Sequence, residues 1–118
     1  MRVVVIDDSA DIRGLVRFAL SRAGMEVVGE AADGGAGIEV VREERPDVVL
    51  LDLAMPIMDG VEALPHIREL VPDARIIVFS GFDVPLIEQV VESGADGHVI
   101  KGTPLKDIVT YVLKVLGD

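Results

Sequence analysis

The sequence predicts a single doubly wound α/β domain, on three observations. Short apolar runs rich in Val and Ile alternate along the chain with segments of helical period. Three of these runs are continuously apolar rather than alternating, which is typical of parallel strands buried on both faces of a sheet. The chain has 118 residues and half of them are hydrophobic, which suits one domain spanning residues 1–118 around a single core.

Five apolar runs are predicted to be the strands. They are residues 3–6, 27–31, 48–51, 76–79 and 98–100. A helical segment follows each run, so a βα unit is repeated five times, and right-handed crossovers would place helices on both faces of a five-stranded parallel sheet. The common solution for five such units is the flavodoxin-like order 2-1-3-4-5, which opens a crevice at the carboxyl ends of the central strands.

The helices are predicted from apolar residues that recur on one helical face. In the first helix these are Ile12, Leu15, Val16, Ala19, Leu20 and Ala23. In the last helix they are Leu105, Ile108, Val109, Val112, Leu113 and Leu116. The middle helices are predicted over about residues 33–44, 61–71 and 84–93. Pro65 falls inside the third helix, which should therefore start late or kink.

The composition argues against several classes of function. Cysteine is absent, which excludes a disulfide framework and a thiolate metal site. The formal net charge of -10 would repel a phosphate backbone, so we expect no direct nucleic-acid binding. The apolar run at the N-terminus is too short for a signal peptide or a membrane span, and we expect a cytoplasmic protein without membrane contact.

Polar residues end four of the five predicted strands. The first run stops at Asp7 and Asp8, the third at Asp52, the fourth at Ser80 and the fifth at Lys101. Polar residues at strand ends often serve solubility alone. Because the carboxyl ends of parallel strands meet at the same edge of a sheet, however, these side chains are predicted to converge on one pocket.

Three of the converging side chains are carboxylates, and that indicates a divalent cation. Asp7, Asp8 and Asp52 would repel one another unless a cation offset their charge. Magnesium prefers oxygen ligands, including carboxylates and phosphate, whereas zinc prefers nitrogen and sulfur. With magnesium and Lys101 present, an anionic phosphoryl donor could approach, and an aspartate can be the nucleophile in such chemistry.

Taken together, the residues resemble the receiver domain of two-component response regulators, the CheY-like group. The resemblance extends over essentially the whole chain. The matching motifs are Ile6-Asp7-Asp8, Leu51-Asp52, Met55-Pro56, Met58-Asp59-Gly60, Ser80-Gly81, Gly94-Ala95-Asp96-Gly97 and Ile100-Lys101.

The resemblance implies a phosphorelay switch. Asp52 would accept a phosphoryl group from the phosphohistidine of a sensor histidine kinase or a phosphotransfer protein, and Ser80 and Lys101 would contact the phosphate. The implied magnesium ligands are Asp7, Asp8, Asp52 and the carbonyl of Ala54. Such a chain is not an enzyme with turnover, since it catalyses only its own phosphorylation and slow dephosphorylation. An output partner, or a second copy in a homodimer, would bind the face around the fourth helix and fifth strand.

Some positions differ from the usual receiver pattern. His98 stands where receivers more often have Tyr or Phe, and it fits either a rotating switch residue or a structural one. Gly102 stands where many receivers have proline, which leaves open whether the preceding peptide is cis. Ala54 and Phe82 are the positions that tune the phosphate lifetime in the family, and Phe82 offers bulk without a hydrogen bond to orient water.

Three other hypotheses are weighed against the switch. Haloacid-dehalogenase-like phosphatases also use Asp, Lys and magnesium, but they place the nucleophile in an Asp-x-Asp pair, whereas Asp7 and Asp8 are adjacent. A degenerate receiver would act only as an interaction module without phosphate. The glycines Gly34, Gly35 and Gly37 do not complete a dinucleotide-binding motif and indicate a flexible helix entry.

Overall fold

The computed structural model of the chain describes residues 1–55, 57–81 and 84–117. Five strands alternate with five helices. The strands are β1 Arg2–Ile6, β2 Glu26–Ala31, β3 Val48–Asp52, β4 Arg75–Ser80 and β5 Gly97–Ile100. The helices are α1 Ala10–Arg22, α2 Gly34–Glu44, α3 Gly60–Leu70, α4 Val84–Glu92 and α5 Leu105–Gly117. The predicted (βα)5 succession is confirmed.

All neighbouring strands pair in parallel, in the order β2-β1-β3-β4-β5. This is the predicted order, so the crevice expected at the carboxyl ends lies beside β1 and β3 in the middle of the sheet. The register sets Asp52 opposite Phe79 and Ser80 opposite Ile100. The ends of β1, β3, β4 and β5 therefore reach the same edge, which we call the carboxyl edge.

Two apolar layers sandwich the sheet. Alternate residues of the strands pack on one side against α2, α3 and α4, and on the other side against α1 and α5. Every residue of β3 is buried, as the continuous apolar run predicts for the central strand. None of the helices in the described part of the chain combines the length and apolar character that a membrane span requires.

Three helices begin at side-chain caps on or near the carboxyl edge. Ser9, Asp33 and Asp59 each accept a hydrogen bond from a backbone N–H in the first turn of α1, α2 and α3. Each cap follows a strand by a short loop, so the loops carry the polar residues that start the helices. The caps thereby fix the loops that surround the expected site.

The helices differ in two details from what the sequence pattern suggests. The helix that contains Pro65 does not start late, because Asp59 caps it and it runs from Gly60 through the proline to Leu70. The apolar face of α1 is only partly buried. Val16 and Leu20 are buried, but Ile12 is 44% exposed and Leu15 is 50% exposed, since α5 and the sheet cover only part of that face.

Candidate functional site

Asp7, Asp8 and Asp52 meet at the carboxyl edge. One carboxylate oxygen from each lies within 4.8 Å of those of the other two. Asp7 and Asp8 follow β1, Asp52 ends β3, and these two strands are neighbours in the sheet. The parallel pairing thus brings the three side chains to one place. Asp7 and Asp52 are buried there, while Asp8 is exposed.

Asp52 is held from several directions. Its side chain is 1% exposed, and its Oδ1 lies 2.9 Å from the ammonium nitrogen of Lys101. The same oxygen accepts a hydrogen bond of 3.1 Å from the backbone N–H of Ala54. Gly60 packs so tightly against Asp52 that a Cβ there would lie 2.2 Å from the Asp52 carbonyl oxygen. The close approach requires glycine at this position and fixes the loop after β3.

Asp7 is anchored through both its side chain and its main chain. Its Oδ1 accepts a hydrogen bond of 2.9 Å from the N–H of Ser9, and its carbonyl accepts one from the guanidinium of Arg13. Arg13 also forms an ion pair with Glu30 at the end of β2. Burial raises the pKa of the Asp7 carboxyl above its usual value of 3.8, and the neighbouring carboxylates of Asp52 and Asp8 add to this rise.

Two buried oxygens at the carboxyl edge have no partner. Within residues 1–55, 57–81 and 84–117, Asp52 Oδ2 and Ser80 Oγ are buried side-chain oxygens without a hydrogen bond. A buried polar atom left unpaired costs about 1–3 kcal/mol, so each one calls for an explanation, such as a water, an ion or a ligand bound at that place. The carboxylate cluster offers only oxygen ligands, and Asp52 Oδ2 and the nearby Ser80 Oγ have no partner among the described residues. These oxygens suit the binding of magnesium and of a phosphoryl group.

Ser80 and His98 lie on neighbouring strands, β4 and β5. Ser80 is 2% exposed, and its carbonyl accepts a 2.8 Å hydrogen bond from the N–H of Lys101, which ties the two strand ends together. His98 pairs with Val78, is half-buried, and its N–H donates to the hydroxyl of Tyr111 on α5 at 3.2 Å. Tyr111 was not among the residues singled out from the sequence.

The remaining predicted positions lie on the loops around the site. Ala54 is exposed beside Asp52, whereas Phe82 falls outside the described residues. Gly102 has a φ of +95°, and no cis peptide bond occurs among the residues that the structure describes. The peptide bond between Lys101 and Gly102 is therefore trans, and the left-handed φ of Gly102 favours glycine at this position.

Two glycines at the start of α2, Gly34 and Gly37, serve packing rather than the expected flexible helix entry. A Cβ on Gly34 would lie 2.6 Å from the carbonyl oxygen of Met58, and one on Gly37 would lie 2.6 Å from the Ile6 side chain. The N–H of Gly34 donates to the same Met58 carbonyl at 2.8 Å. The start of α2 therefore packs closely against the loop that follows Asp52 and is hydrogen-bonded to it.

Sequence reasoning missed Arg13 as a residue of the site. It lies one turn after the Ser9 cap, among several arginines of α1. Arg13 donates hydrogen bonds to the carbonyl of Asp7, just after β1, and to the carboxylate of Glu30 in β2. These two groups come together only in the folded sheet.

A cleft of about 240 Å³ opens beside the carboxylates. Its lining combines polar residues, among them the three aspartates and Lys101, with apolar residues of α1, α5 and the ends of β4 and β5. The apolar residues that line it are Ile12, Leu15, Val16, Phe79, Ile100, Leu105 and Ile108.

Comparisons with known proteins agree with this geometry. A family model described as response regulator receiver domain matches residues 3–113. The chemotaxis protein CheY of Thermotoga maritima is 33% identical over 115 residues, which are 97% of this chain and 96% of that protein. The transcriptional regulatory protein LiaR of Bacillus subtilis is 39% identical over 114 residues, which are 95% of this chain and 54% of that protein.

Among solved structures, the CheX-CheY-BeF3-Mg complex of Borrelia burgdorferi matches with a TM-score of 0.93 at 26% identity. The match covers 98% of this chain and 89% of that chain. The chain thus spans nearly all of one curated relative, CheY, and about half of another, LiaR.

Proposed function

Because the chain belongs to the response regulator receiver domain family of two-component systems, we propose that it is a phosphorylation switch whose acceptor is Asp52. One observation carries this proposal. The buried carboxylate of Asp52 has one oxygen bound by Lys101 and the Ala54 N–H and a second oxygen without a partner among the residues that the structure describes. The second oxygen, Oδ2, is the one free to form a bond to phosphorus.

Magnesium fits the donor set of this site. The residues that would hold it are Asp7, Asp8, Asp52 and the backbone carbonyl of Ala54, which offer only oxygen ligands. When bound, the ion would offset the negative charge of the aspartates and of the phosphoryl oxygens. The pKa of Asp7 is raised because its carboxyl is buried close to other carboxylates. The same buried negative charge calls for a cation at this site.

The side chains around Asp52 divide the remaining work. The Lys101 ammonium, 2.9 Å from Asp52 Oδ1, would balance charge on the acceptor and then on the phosphoryl group. The buried Ser80 hydroxyl, which has no hydrogen bond within the described part of the chain, would donate to a phosphoryl oxygen once one is present. A group that gains a partner only in the phosphorylated state favours that state, as a switch requires.

The phosphoryl donor in this proposal is the phosphohistidine of a sensor histidine kinase or a phosphotransfer protein. The output surface is the face formed by α4, β5 and α5, because Ser80 and His98 lie on the strands beneath it. His98 is the switch residue of the proposal, and Tyr111, which receives its N–H, links it to α5. A separate output protein or a second copy of the chain would bind there.

The proposal includes self-catalysed phosphorylation and slow self-dephosphorylation, without turnover of another substrate. Ala54 and Phe82 are uncharged and give no hydrogen bond from their side chains to orient an attacking water. Phe82→Glu should therefore shorten the half-life of the phosphorylated protein, measured by mass spectrometry after the donor is removed. A longer half-life in the variant would contradict this part of the proposal.

Phosphorylation by acetyl phosphate and magnesium tests the main proposal. Intact-mass spectrometry should find one added phosphoryl group, absent in Asp52→Asn and in the presence of a chelator. Asp59→Asn is the matched control, because Asp59 is a nearby exposed acid that caps α3 without joining the carboxylate cluster. Phosphorylation retained in Asp52→Asn would reject Asp52 as the acceptor.

Two other outcomes would replace the switch with an alternative. Sustained hydrolysis of a small phosphate ester would favour the phosphatase hypothesis. A folded protein that takes no phosphoryl group from any donor would favour a degenerate receiver that acts only as an interaction module.

A further inference from the structure

The main chain of Asp7 is tied on both sides to β2, a strand that supplies no carboxylate to the cluster. The N–H of Asp7 donates to the carbonyl of Ala31 at the end of β2, at 3.0 Å. The carbonyl of Asp7 accepts a hydrogen bond from the Arg13 guanidinium, which also donates to the carboxylate of Glu30 at 3.2 Å. The first residue of the cluster is therefore held from the neighbouring strand, once directly and once through Arg13.

The Arg13 guanidinium bridges two acceptors. Its side chain is only 18% exposed, and its Nε and Nη1 donate to different partners. A planar guanidinium can hold two acceptors in a fixed geometry, whereas the compact ammonium of lysine cannot reproduce this fork. Glu30 is itself held in place, because Arg17 pairs with its second carboxylate oxygen. The bridge therefore joins Asp7 to a fixed anchor on β2.

The hydrogen bond to the Asp7 carbonyl also affects Asp8. This carbonyl belongs to the peptide group that joins the two residues, and a peptide group is planar. Holding its oxygen therefore fixes the direction in which the chain enters Asp8. The side chain of Asp8 is exposed and makes no hydrogen bond or ion pair within the described part of the chain. The place of Asp8 in the cluster is thus set by its backbone.

We propose that Arg13 is a positioning residue for the magnesium site, and that it acts through the Asp7–Asp8 peptide group to direct both carboxylates at the ion. The inference rests on the proposed function, because it concerns the magnesium ligands named there. Loss of a group that orients a metal ligand typically weakens metal binding by about 10–100-fold. Arg13 contacts its ligands through the main chain, so Arg13→Met should weaken Mg²⁺ binding by about tenfold, at the low end of this range.

The sign of the change separates positioning from charge. Arg13 is a cation next to the carboxylate cluster, so a purely electrostatic role predicts that Arg13→Met binds Mg²⁺ more tightly. Positioning predicts weaker binding. Arg13→Lys keeps the charge but loses the fork, so it should also bind Mg²⁺ more weakly than the original protein does, whereas charge alone predicts no change.

Arg17→Met is the matched control. Arg17 lies one turn further along α1 and pairs with the same Glu30 carboxylate, but its other hydrogen bond goes to the carbonyl of Val27 and not to Asp7. The variant therefore removes the same charge and the same kind of ion pair without touching the Asp7–Asp8 peptide group. Its affinity for Mg²⁺ should change by less than about twofold.

Titration of the unphosphorylated proteins with Mg²⁺ alone, followed by amide NMR, measures the dissociation constants. The ¹³C resonance of the Asp7 carbonyl gives an independent readout before any metal is added. Loss of the hydrogen bond at this oxygen should move the resonance upfield in Arg13→Met and leave it in place in Arg17→Met. An unchanged resonance in Arg13→Met would overturn the inference, as would Mg²⁺ binding that is equal to or tighter than that of Arg17→Met.

Phosphorylation by acetyl phosphate separates positioning from a general loss of structure. In Arg13→Met the magnesium concentration that gives the half-maximal rate should rise about tenfold, and the deficit in rate should be largely recovered at saturating magnesium. A rate that stays low at every magnesium concentration would show that Arg13 serves the fold in general, and the positioning role would be rejected.

The two levels of proposal fail differently. If the original protein binds no Mg²⁺ or takes no phosphoryl group on Asp52, the proposed function itself is in error. If it does both and the Arg13 variants bind Mg²⁺ equally well, the phosphorylation site stands and only the role of Arg13 is rejected.

Discussion

The two edges of the sheet use charge in opposite ways. At the carboxyl edge, Asp7, Asp8 and Asp52 repel one another, and Asp52 Oδ2 and Ser80 Oγ are buried with no hydrogen-bond partner among the described residues. At the opposite edge, where the strands begin, charged side chains tie strands and helices together. The comparison shows that polar groups at the edge where the strands begin mostly stabilise the fold in pairs, whereas the carboxyl edge leaves oxygens available to a ligand.

Arg68 is the centre of the paired edge. It lies near the end of α3 and forms an ion pair of 3.0 Å with Asp96, whose carboxylate also accepts the N–H of Ile76 at 2.8 Å. Its guanidinium also donates to backbone carbonyls that close the neighbouring loops. These are the carbonyls of Val71, Pro72, Ala74 and Gly94. Of the Arg68 nitrogens, only Nε has no partner in the described part of the chain.

The largest expected effect is therefore at the edge where the strands begin. Arg68→Met removes the ion pair and leaves several backbone carbonyls without donors, so it should lower the free energy of unfolding by about 3 kcal/mol. Urea denaturation measures the change. Arg42→Met is the control, because Arg42 pairs with Glu39 on the exposed surface of α2, and its loss should cost less than about 0.5 kcal/mol. Similar losses in the two variants would show that the Arg68 network contributes little.

The next effect concerns the packing of α2 at the carboxyl edge. Gly34→Ala should destabilise the fold by about 2 kcal/mol, because its Cβ would meet a backbone carbonyl that cannot move aside. Gly35→Ala should instead stabilise it by about 0.5 kcal/mol, since the nearest atom to a Cβ there, an oxygen of Asp33, is 3.4 Å away and alanine favours the helix.

Thermal or urea unfolding of both variants checks the sign of each change. If Gly34→Ala proved as stable as Gly35→Ala, the clamp between α2 and the loop after Asp52 would be too loose to matter. The packing explanation for the glycines would then be lost.

The sequence allowed the strands and the carboxylate cluster to be predicted, because both follow from local information. Continuous apolar runs mark buried parallel strands, and all parallel strands point the same way, so residues at their ends must meet. The order of the strands followed from the common solution for five βα units. The resemblance to receiver domains added the roles of Asp52 and Lys101, which spacing alone does not assign.

The features that escaped prediction depend on contacts between distant segments. The apolar spacing in α1 does not reveal that Leu15 is half exposed, because this depends on how much of the helix α5 covers. Glycine spacing could not tell that Gly34 packs against Met58, 24 residues later, at 2.6 Å. The carbonyls bound by Arg13 and Arg68 carry no sequence signature at all, since every residue has one.

A smaller effect concerns the charge repulsion at the carboxyl edge. The pKa of Asp7 is raised in the fold by burial and by the neighbouring carboxylates, so ionised Asp7 destabilises the metal-free protein. The penalty is absent below pH 3.8, the usual pKa, and develops as the pH rises through the raised pKa. At neutral pH without metal, Asp7→Asn should therefore be more stable than the original protein.

Melting temperatures as a function of pH and magnesium check this prediction. The advantage of Asp7→Asn should disappear at low pH, where both proteins carry a neutral group. Magnesium should raise the melting temperature of the original protein more than that of the variant, because binding to the folded state alone stabilises it. A variant that is less stable than the original protein at neutral pH without metal would mean that Asp7 contributes more through its hydrogen bonds than it costs through repulsion.

The smallest effect on stability should come from the orphaned hydroxyl of Ser80. Ser80→Ala removes a buried hydroxyl that has no hydrogen bond among the described residues, and the small space it leaves offsets part of the gain, so the free energy of unfolding of the unphosphorylated protein should rise slightly rather than fall. Ser9→Ala is the contrasting serine, because its hydroxyl caps α1 by accepting the N–H of Ile12, and its loss should cost about 1 kcal/mol. After phosphorylation, the NMR chemical shifts of His98 should change in Ser9→Ala as they do in the original protein, but not in Ser80→Ala. A large loss of stability in unphosphorylated Ser80→Ala would mean that the hydroxyl stabilises the fold. The proposed contrast between a stabilising edge and a ligand-binding edge would then be wrong for Ser80.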